Sequence, residues 1–259
     1  MLSNEQVSQF HEDGFLILPG VFGEQEVERM RAEVARLADV DCDAVLKNAS
    51  TVNIYRAHED DGPTGSPVFS RIARMERLLD PVRQLLGSEP FYIYNSHIFG
   101  KEPFTGAAMM WHQDYGYWRL EGMPKPLAVK LMISLGATDP LSGCVWFVPG
   151  SHKLGWIRHT TDPNAQFKHW SVPHAEMQQI MASHRAPVPI VAGPGDVALF
   201  HGAAIHSSGF NLSGHERWQC YVAYNPVDNH PTRHVRPDRF CSRDYTPAQP
   251  IADDALAGI

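Results

Sequence analysis

The sequence contains few cysteines, and their spacing excludes the common thiolate metal sites. Four occur among 259 residues, and they lie far apart at Cys42, Cys144, Cys220 and Cys241. Structural zinc sites use cysteine pairs a few residues apart, and disulfide frameworks are typical of small secreted domains that are rich in cysteine. We therefore expect a protein of a reducing compartment, without structural zinc on thiolates.

Positive charge and long apolar runs are also scarce. The 22 basic residues are outnumbered by 29 acidic ones, which gives a formal net charge of −7, whereas proteins that bind nucleic acids present basic surfaces. The apolar runs are shorter than the roughly 20 residues that span a bilayer, and the N-terminus lacks a signal-peptide pattern. We expect a cytoplasmic monomer or homodimer that acts on a small molecule and binds neither nucleic acid nor membranes.

The remaining composition is that of a globular protein. Hydrophobic residues make up 43% of the chain and charged residues 20%, which excludes disordered and low-complexity chains. A chain of this length can fold around one core, so we predict a single domain over residues 1–259. Histidine is frequent, with 14 copies, and this frequency favours a metal site or an acid/base site.

Helical patterns dominate the first third of the chain. Ser3 and Gln6 have the spacing of a capping box at the start of a helix. Further helices are indicated by apolar residues that recur at intervals of three and four. The predicted helices cover about residues 4–11, 24–37 and 70–86, and the apolar run Phe15–Leu18, which ends at Pro19-Gly20, predicts a short strand after the first helix. We expect a helical buttress over about residues 1–90.

Strand patterns follow after about residue 90. Short runs rich in β-branched and aromatic residues alternate with Gly, Pro, Asn and Asp. These runs are residues 91–94, 128–135, 144–148, 188–191, 196–200 and 217–224. Helices followed by strands predict an α+β fold, mainly β, in which the helices support a β-sandwich or small barrel over about residues 90–225.

A long insertion at residues 155–187 interrupts the strand pattern. Its aromatic and histidine residues are Trp156, His159, Phe167, His169, Trp170, His174 and His184. Long insertions between strands often cover binding sites. We therefore predict a lid, with Trp170 at the substrate.

The segment Trp111-His112-Gln113-Asp114 contains the first candidate metal ligands. On a strand, residues i and i+2 share a face, so His112 and Asp114 would present an imidazole and a carboxylate side by side. A second histidine would complete the two-histidine, one-carboxylate set that holds non-haem Fe(II) and leaves open positions. An ordinary surface or capping pair has the same spacing, so this segment alone leaves both interpretations open.

Two later histidines, His201 and His206, compete for the remaining place. They are five residues apart, so a regular strand directs them to opposite faces and only one can join the site. We favour His206, because Ser208 then also points inward and Arg217 opens the next strand. Arginine can bind a carboxylate with two hydrogen bonds, so this corner suits an organic acid beside the metal. His201 is then interpreted as a structural histidine.

Four segments carry a resemblance to a known family. They are residues 111–114 (WHQD), 131–135, 143–153 (GCVWFVPGSHK) and 195–217. In order and spacing they resemble the phytanoyl-CoA dioxygenase family of Fe(II)- and 2-oxoglutarate-dependent oxygenases. The resemblance implies a double-stranded β-helix, which is a cupin-like jelly-roll whose open end holds the metal.

The same resemblance implies roles for individual residues. It places the iron ligands at His112, Asp114 and His206. It places the distal carboxylate of 2-oxoglutarate at Arg217, with Ser208 assisting.

Residues 112–124, HQDYGYWRLEGMP, also resemble a stretch of bacterial ectoine hydroxylases. This local resemblance places Trp118 at the substrate pocket and Asn95 near the cosubstrate. Gly116 and Tyr117 stand where that stretch has bulkier polar residues. Trp118 equally fits an aromatic residue that covers a strand edge.

The reaction implied by the resemblance is hydroxylation of an unactivated C–H bond in a small metabolite or natural-product intermediate. Fe(II), 2-oxoglutarate and O2 would take part, and succinate and CO2 would be released. The alternative is a non-catalytic jelly-roll module that binds a metal or a sugar. Arg217 and Ser208 favour the oxygenase, because such a module needs no carboxylate clamp beside its metal. No basic cluster suits the phosphates of coenzyme A, which favours a free small metabolite.

Overall fold

The computed structural model describes residues 1–87, 90–161 and 170–258. In this part of the chain the α-helices are α1 Asn4–Asp13, α2 Glu24–Ala38, α3 Pro67–Ile72, α4 Glu76–Leu86, α5 Asp114–Trp118 and α6 His174–Ser183. The strands are β1 Phe15–Leu18, β2 Val45–Lys47, β3 Thr51–Tyr55, β4 Phe91–Lys101, β5 Met109–His112, β6 Val129–Ser134, β7 Val145–Phe147, β8 Thr160–Thr161, β9 Trp170–Ser171, β10 Val188–Pro189, β11 Val197–His201, β12 His206–Ser208 and β13 Arg217–Pro226.

Local sequence signals set the ends of the N-terminal helices. At the start of α1, the Ser3 side chain accepts a hydrogen bond from the Gln6 amide, and the Gln6 side chain accepts one from the Ser3 amide. The predicted capping box is therefore confirmed. The predicted helix over residues 70–86 is two helices instead, because Ser66 caps α3 early and the chain is extended at Met75 before α4 begins.

The strands form two antiparallel sheets and a short hairpin. The first sheet has the strand order β1-β11-β6-β13-β4-β3-β2, and the second has the order β10-β7-β12-β5. Strands β8 and β9 pair with each other at the insertion. The long strand β13 lies at the centre of the first sheet, where it pairs with both β6 and β4.

Two apolar clusters pack on opposite faces of the seven-stranded sheet. Leu131 of β6 packs with the helices, whereas the next residue, Met132, packs between the two sheets. Phe147 of the four-stranded sheet belongs to the same inner cluster as Met132. Because neighbouring residues of a strand alternate in direction, the inner faces of the two sheets together enclose a shared interior.

The segment predicted as a helical buttress also supplies strands to the large sheet. Strand β1 pairs with β11, and β3 pairs with β4. Phe15 reaches the interior between the sheets, while Leu16 packs on the helical side. Strands and helices therefore share the first 90 residues, because apolar residues on both faces of β1 suit a strand covered on two sides.

The fold is thus a mixed helix and strand fold with antiparallel sheets, which confirms the predicted α+β class. Helix α6 lies in the segment that the sequence predicts as a lid, so the helical share is larger than a mainly β fold implies. Within the described ranges, every helix is too short or too polar to cross a membrane.

Candidate functional site

Three side chains meet at the open end of the interior. One possible ligand atom from each of His112, Asp114 and His206 lies within 4.8 Å of the others, and all three residues are buried. His112 is the last residue of β5, and His206, the first residue of β12, faces it in the antiparallel pair. Strand pairing therefore positions both imidazoles, and this set of groups suits a transition metal such as iron.

The structure differs from the prediction that His112 and Asp114 share one face of a strand. Asp114 is the first residue of helix α5, so the chain turns after His112 and the two side chains converge without sharing a strand face. His201 ends β11 in the large sheet, while His206 begins β12 in the small sheet. The His201 ring packs 5.1 Å from the His152 ring, outside the cluster. The argument from strand parity is wrong, although it selects the histidine that joins the cluster.

Backbone carbonyls orient both imidazoles of the cluster. Nδ1 of His112 lies 2.7 Å from the Met110 carbonyl oxygen, and Nδ1 of His206 lies 3.0 Å from the Ala204 carbonyl oxygen. A carbonyl only accepts, so each Nδ1 carries the proton and donates it. Each Nε2 is then left with a lone pair for a metal, which is the usual arrangement around a ligating histidine.

A lysine that the sequence analysis missed contacts the cluster. Nζ of Lys130 on β6 donates a hydrogen bond of 2.9 Å to Oδ2 of Asp114. Burial raises the pKa of Asp114, but Lys130 and the two histidines outweigh burial, so the pKa of Asp114 is lowered. The carboxylate is therefore ionised over the whole physiological pH range. An alternating pattern on β6 predicts that residue 130 faces inward, but it does not predict its partner.

A cavity of about 450 Å³ opens beside the cluster. His112, Asp114 and His206 form part of its wall. The other walls combine charged, polar, aromatic and aliphatic side chains. They are the charged groups Lys130 and Arg236, the polar groups Asn48, Thr51, Asn53, Asn95, Ser207 and Ser208, the rings of Tyr55, His97, Phe99, Tyr117, Trp118, Trp170, Tyr221 and Phe240, and the aliphatic residues Ala107, Ala108, Met109 and Val145. This volume and mixture of groups suit a small organic ligand.

Two buried basic side chains lie behind one wall of the cavity. Arg217 and Lys101 face each other on β13 and β4, and each is 1% exposed. All three guanidinium nitrogens of Arg217 lack a hydrogen-bond partner among the described residues. Lys101 donates a hydrogen bond of 2.9 Å to Ser208 Oγ and another to the Gly209 carbonyl. A buried guanidinium without a partner is costly, so this corner suits a bound carboxylate.

Arg236 is a second residue that the sequence analysis missed. Its Nε and Nη2 donate hydrogen bonds of 3.0 and 2.8 Å to the two carboxylate oxygens of the fully buried Glu121. Burial lowers the pKa of Arg236, but the hydrogen bonds that Arg236 donates to the Glu121 carboxylate outweigh burial and raise the pKa. Arg236 thus stays charged at the cavity wall, with Nη1 on the edge turned away from Glu121. Residue 236 lies far from the motifs, so no spacing pattern could have identified it.

Of the predicted substrate and cosubstrate residues, Trp118, Trp170, Asn95 and Ser208 border the cavity, whereas Arg217 does not. Trp118 is almost fully buried and packs edge-on against Tyr94, with ring centroids 5.2 Å apart. Trp170 is 38% exposed, and its carbonyl accepts a hydrogen bond of 2.7 Å from the Tyr117 hydroxyl. Asn95 donates through Nδ2 to the Phe240 carbonyl. Trp118 therefore combines both interpretations that the sequence left open, since it lines the cavity and covers a core.

The first residues of the insertion are hydrogen-bonded to the segment that contains His112 and Asp114. The Gln113 side chain donates to the Gly155 carbonyl at 2.8 Å and accepts from the Ile157 amide at 2.9 Å. The Gln113 amide donates to Nε2 of His159 at 3.0 Å. Gln113 stands between His112 and Asp114, so the insertion and the cluster are linked through one residue. Phe167 and His169 of the predicted lid lie outside the described residues.

The chain is similar to known proteins in sequence. The family described as Phytanoyl-CoA dioxygenase (PhyH) matches residues 10–218. The chain is 30% identical over 262 residues to L-proline trans-4-hydroxylase from Streptomyces griseoviridis, and the match covers 96% of each chain. It is also 30% identical over 239 residues to ectoine dioxygenase from Sphingopyxis alaskensis, covering 88% of this chain and 77% of the relative.

Solved structures of the ectoine enzyme show the same fold. The crystal structure of EctD from S. alaskensis with 2-oxoglutarate and 5-hydroxyectoine has a TM-score of 0.83 at 26% identity, and the match covers 96% of this chain and 87% of that chain. The structure of that EctD with bound Fe has a TM-score of 0.81 at 27% identity, with 97% and 88% covered. The predicted resemblance to ectoine hydroxylases is therefore confirmed.

The residues present fit the expected cofactors. The buried His-Asp-His cluster suits Fe(II), and the guanidinium of Arg217, which has no hydrogen-bond partner in the described ranges, suits a carboxylate of 2-oxoglutarate. Fe(II), 2-oxoglutarate and O2 are therefore its cofactors and cosubstrates, and a non-catalytic binding module is not supported. The chain belongs to the phytanoyl-CoA dioxygenase family and is a 2-oxoglutarate-dependent non-haem iron dioxygenase.

Proposed function

We propose that this dioxygenase hydroxylates an unactivated C–H bond of a small, amino-acid-like metabolite that carries a carboxylate, and that it releases succinate and CO2. The observation that carries the proposal is a single cavity that touches both the His-Asp-His cluster and the guanidinium of Arg236. One end of this cavity holds metal-ligating groups, and another wall holds a cation suited to a carboxylate.

His112, Asp114 and His206 are the proposed iron ligands. These three side chains would hold Fe(II), and a two-histidine, one-carboxylate set would leave the metal accessible to 2-oxoglutarate and O2. When bound, iron and 2-oxoglutarate supply the oxidising power, while the protein positions the substrate and limits the access of water. The surrounding sheets would form the double-stranded β-helix of this family.

The distal carboxylate of 2-oxoglutarate is proposed to bind Arg217, with Ser208 and Lys101 assisting and Asn95 near the cosubstrate. Arg217 supplies a charge and a planar fork, and Lys101 places a second cation within hydrogen-bond distance of Ser208. The distal carboxylate places one negative charge beside these two buried basic groups. This charge offsets part of the cost of burying them when the cosubstrate is bound.

Lys101 should make the affinity for 2-oxoglutarate depend on pH. Burial, and then the Arg217 cation, lower the pKa of Lys101 to about 6, so its amine is mostly neutral above that pH before 2-oxoglutarate binds. A bound carboxylate favours the ammonium form and raises this pKa, so binding takes up a proton. The Kd for 2-oxoglutarate is therefore expected to rise above pH 6, by up to about tenfold per pH unit.

Calorimetric titration of the Mn(II)-loaded protein from pH 6 to pH 8 measures this dependence without turnover. Lys101→Met should bind 2-oxoglutarate more weakly and lose the slope, whereas the exposed Lys47→Met should keep it. A wild-type Kd that stays constant over this range would contradict the proton uptake.

The substrate is proposed to place its carboxylate on Arg236 and its apolar part against Trp118 and Trp170. The names of two relatives, L-proline trans-4-hydroxylase and EctD with 5-hydroxyectoine, point to small molecules that carry carboxylates. Glu121 holds one edge of the Arg236 guanidinium, so the other edge is oriented before a ligand arrives. A pre-oriented fork loses little entropy when it binds.

Arg236→Ala is expected to raise the KM for the primary substrate about 10- to 100-fold, since a charge-assisted pair contributes about 1.5 to 3 kcal/mol. The KM for 2-oxoglutarate should change much less. Arg233→Ala, an exposed arginine three residues away, serves as the matched control. Equal effects of Arg236→Ala on both KM values would contradict the assignment.

A screen of small metabolites for substrate-dependent succinate release tests the proposal itself. Free amino acids, cyclic imino acids and their carboxamides form matched pairs with and without the carboxylate. We expect succinate and hydroxylated product in equal amounts for a compound with a free carboxylate, and little reaction for its carboxamide. A carboxamide that reacts as well as its acid would exclude the carboxylate anchor.

A further inference from the structure

We propose that Lys130 makes metal binding dependent on 2-oxoglutarate, because its ammonium competes with the metal for Asp114 until an anionic cosubstrate enters the site. The inference rests on the proposed function, since it takes His112, Asp114 and His206 as the iron ligands. It assigns to Lys130 a positioning role that acts through the ligand carboxylate.

The side chains around Lys130 hold its ammonium beside Asp114, the proposed metal ligand. Its Nζ lies 2.9 Å from Asp114 Oδ2, and the side chains of Lys130 and Asp114 are only 5% and 13% exposed. The same Nζ lies 4.9 Å from the centre of the Tyr221 ring and 5.7 Å from the centre of the Phe200 ring. Such rings stabilise a cation over their faces. The ammonium is therefore fixed beside the carboxylate and largely shielded from bulk water.

A cation bound to Asp114 must share this carboxylate with the ammonium of Lys130. Two positive groups on one buried carboxylate repel each other strongly, because little water screens them. In the absence of another anion, Lys130 thus lowers the affinity of the cluster for a divalent metal. The competition is strongest in the protein without 2-oxoglutarate.

Binding of 2-oxoglutarate changes the charge balance of the same pocket. Lys130, Asp114 and Ser208 all border one cavity, so a dianion that occupies it lies near the ammonium. The added negative charge offsets the repulsion between Lys130 and the metal. By linkage, if 2-oxoglutarate tightens metal binding through Lys130, the metal tightens 2-oxoglutarate binding by the same factor. Lys130 thereby favours the joint assembly of metal and cosubstrate over metal alone.

Anaerobic calorimetric titrations with Mn(II), with and without saturating 2-oxoglutarate, measure this coupling in the full chain. Lys130→Met removes the charge and keeps most of the side-chain volume. It is expected to bind Mn(II) alone about tenfold more tightly than wild type, and the tightening caused by 2-oxoglutarate should fall about tenfold. A merely structural role would weaken metal binding in both titrations. Unchanged or weaker binding of Mn(II) alone would overturn the proposal.

Further variants serve as a replacement for Lys130→Met and as controls. Lys130→Gln is also neutral and should shift both titrations in the same direction, so it replaces Lys130→Met if that variant does not fold. Lys130→Arg should retain most of the coupling, and Lys125→Met, an exposed lysine on the preceding loop, should leave it unchanged. Mn(II) should also raise the melting temperature of Lys130→Met more than that of wild type.

The outcome separates this inference from the proposed function. If Asp114→Ala binds Mn(II) as wild type does, the ligand assignment fails and the inference fails with it. If Asp114→Ala loses Mn(II) but Lys130→Met binds it as wild type does, the ligand assignment stands and the role of Lys130 is excluded.

Discussion

Alanine at His112, Asp114 or His206 is expected to weaken Fe(II) binding and abolish hydroxylation. Changes to groups that only support metal ligands already lower metal affinity or activity about 10- to 100-fold, so loss of a ligand should exceed that range. The three ligand atoms lie within 4.8 Å of one another in a buried cluster. Anaerobic Fe(II) titration and succinate formation measure the two effects separately.

His201→Ala provides the matched control for these variants. His201 lies on β11 and packs against His152 and Phe10, so its loss should leave Fe(II) affinity close to that of wild type. Burial lowers the pKa of His201 to about 4, and the nearby His152 contributes. The side chain is thus neutral and structural at pH 7. Loss of iron from His201→Ala together with its retention in His206→Ala would reverse the assignment.

Arg217→Ala is expected to raise the KM for 2-oxoglutarate about 10- to 100-fold, because a buried carboxylate loses a charge-assisted, two-pronged partner. The KM for the primary substrate should change far less, since the cavity wall that contacts it includes Arg236 and not Arg217. Steady-state kinetics with each substrate varied in turn give both constants.

Arg217→Lys distinguishes charge from geometry at this position. It keeps the positive charge but loses the fork, so its KM for 2-oxoglutarate should fall between those of wild type and Arg217→Ala. Thermal denaturation controls for stability, because removal of a buried and unpartnered guanidinium should not lower the melting temperature greatly. Equal affinity for 2-oxoglutarate in wild type and Arg217→Ala would exclude the clamp.

The sequence predicts the elements whose signals are local. The capping box at Ser3 and the apolar repeat of α2 lead directly to the observed helices, since both depend on residues within one or two turns. The membership of β1 in the large sheet was not predictable in the same way. Its partner β11 lies about 180 residues later, and pairing over that distance depends on the whole topology.

The site residues that belong to a recognisable sequence motif could be predicted from the sequence. His112 and Asp114 stand in one short segment, and the family resemblance supplies His206 and Arg217. The sequence did not identify Lys101, Lys130 and Arg236. The role of each depends on a hydrogen-bond partner that lies on another element of the fold. Inward alternation on a strand places Lys101 and Lys130 in the interior, but only the folded chain identifies their partners.

Three predictions stay open. They are a single domain over residues 1–259, a lid over residues 155–187, and the contact of Trp170 with substrate. The last two concern contacts that form only when substrate is bound. The hydrogen bonds between Gln113 and the base of the insertion give the lid a physical link to the cluster. Closure of the lid is therefore expected to depend on occupancy of the site.

The most direct test of the account is an anaerobic titration of the Fe(II)-loaded protein with 2-oxoglutarate, followed by visible absorption. Chelation of Fe(II) by a 2-oxo acid produces a charge-transfer band. We predict a band that saturates at one equivalent of 2-oxoglutarate in wild type, is lost in His206→Ala, and needs about 10- to 100-fold more 2-oxoglutarate in Arg217→Ala. A band of wild-type intensity and affinity in both variants would contradict the assignment of this cluster as the iron and 2-oxoglutarate site.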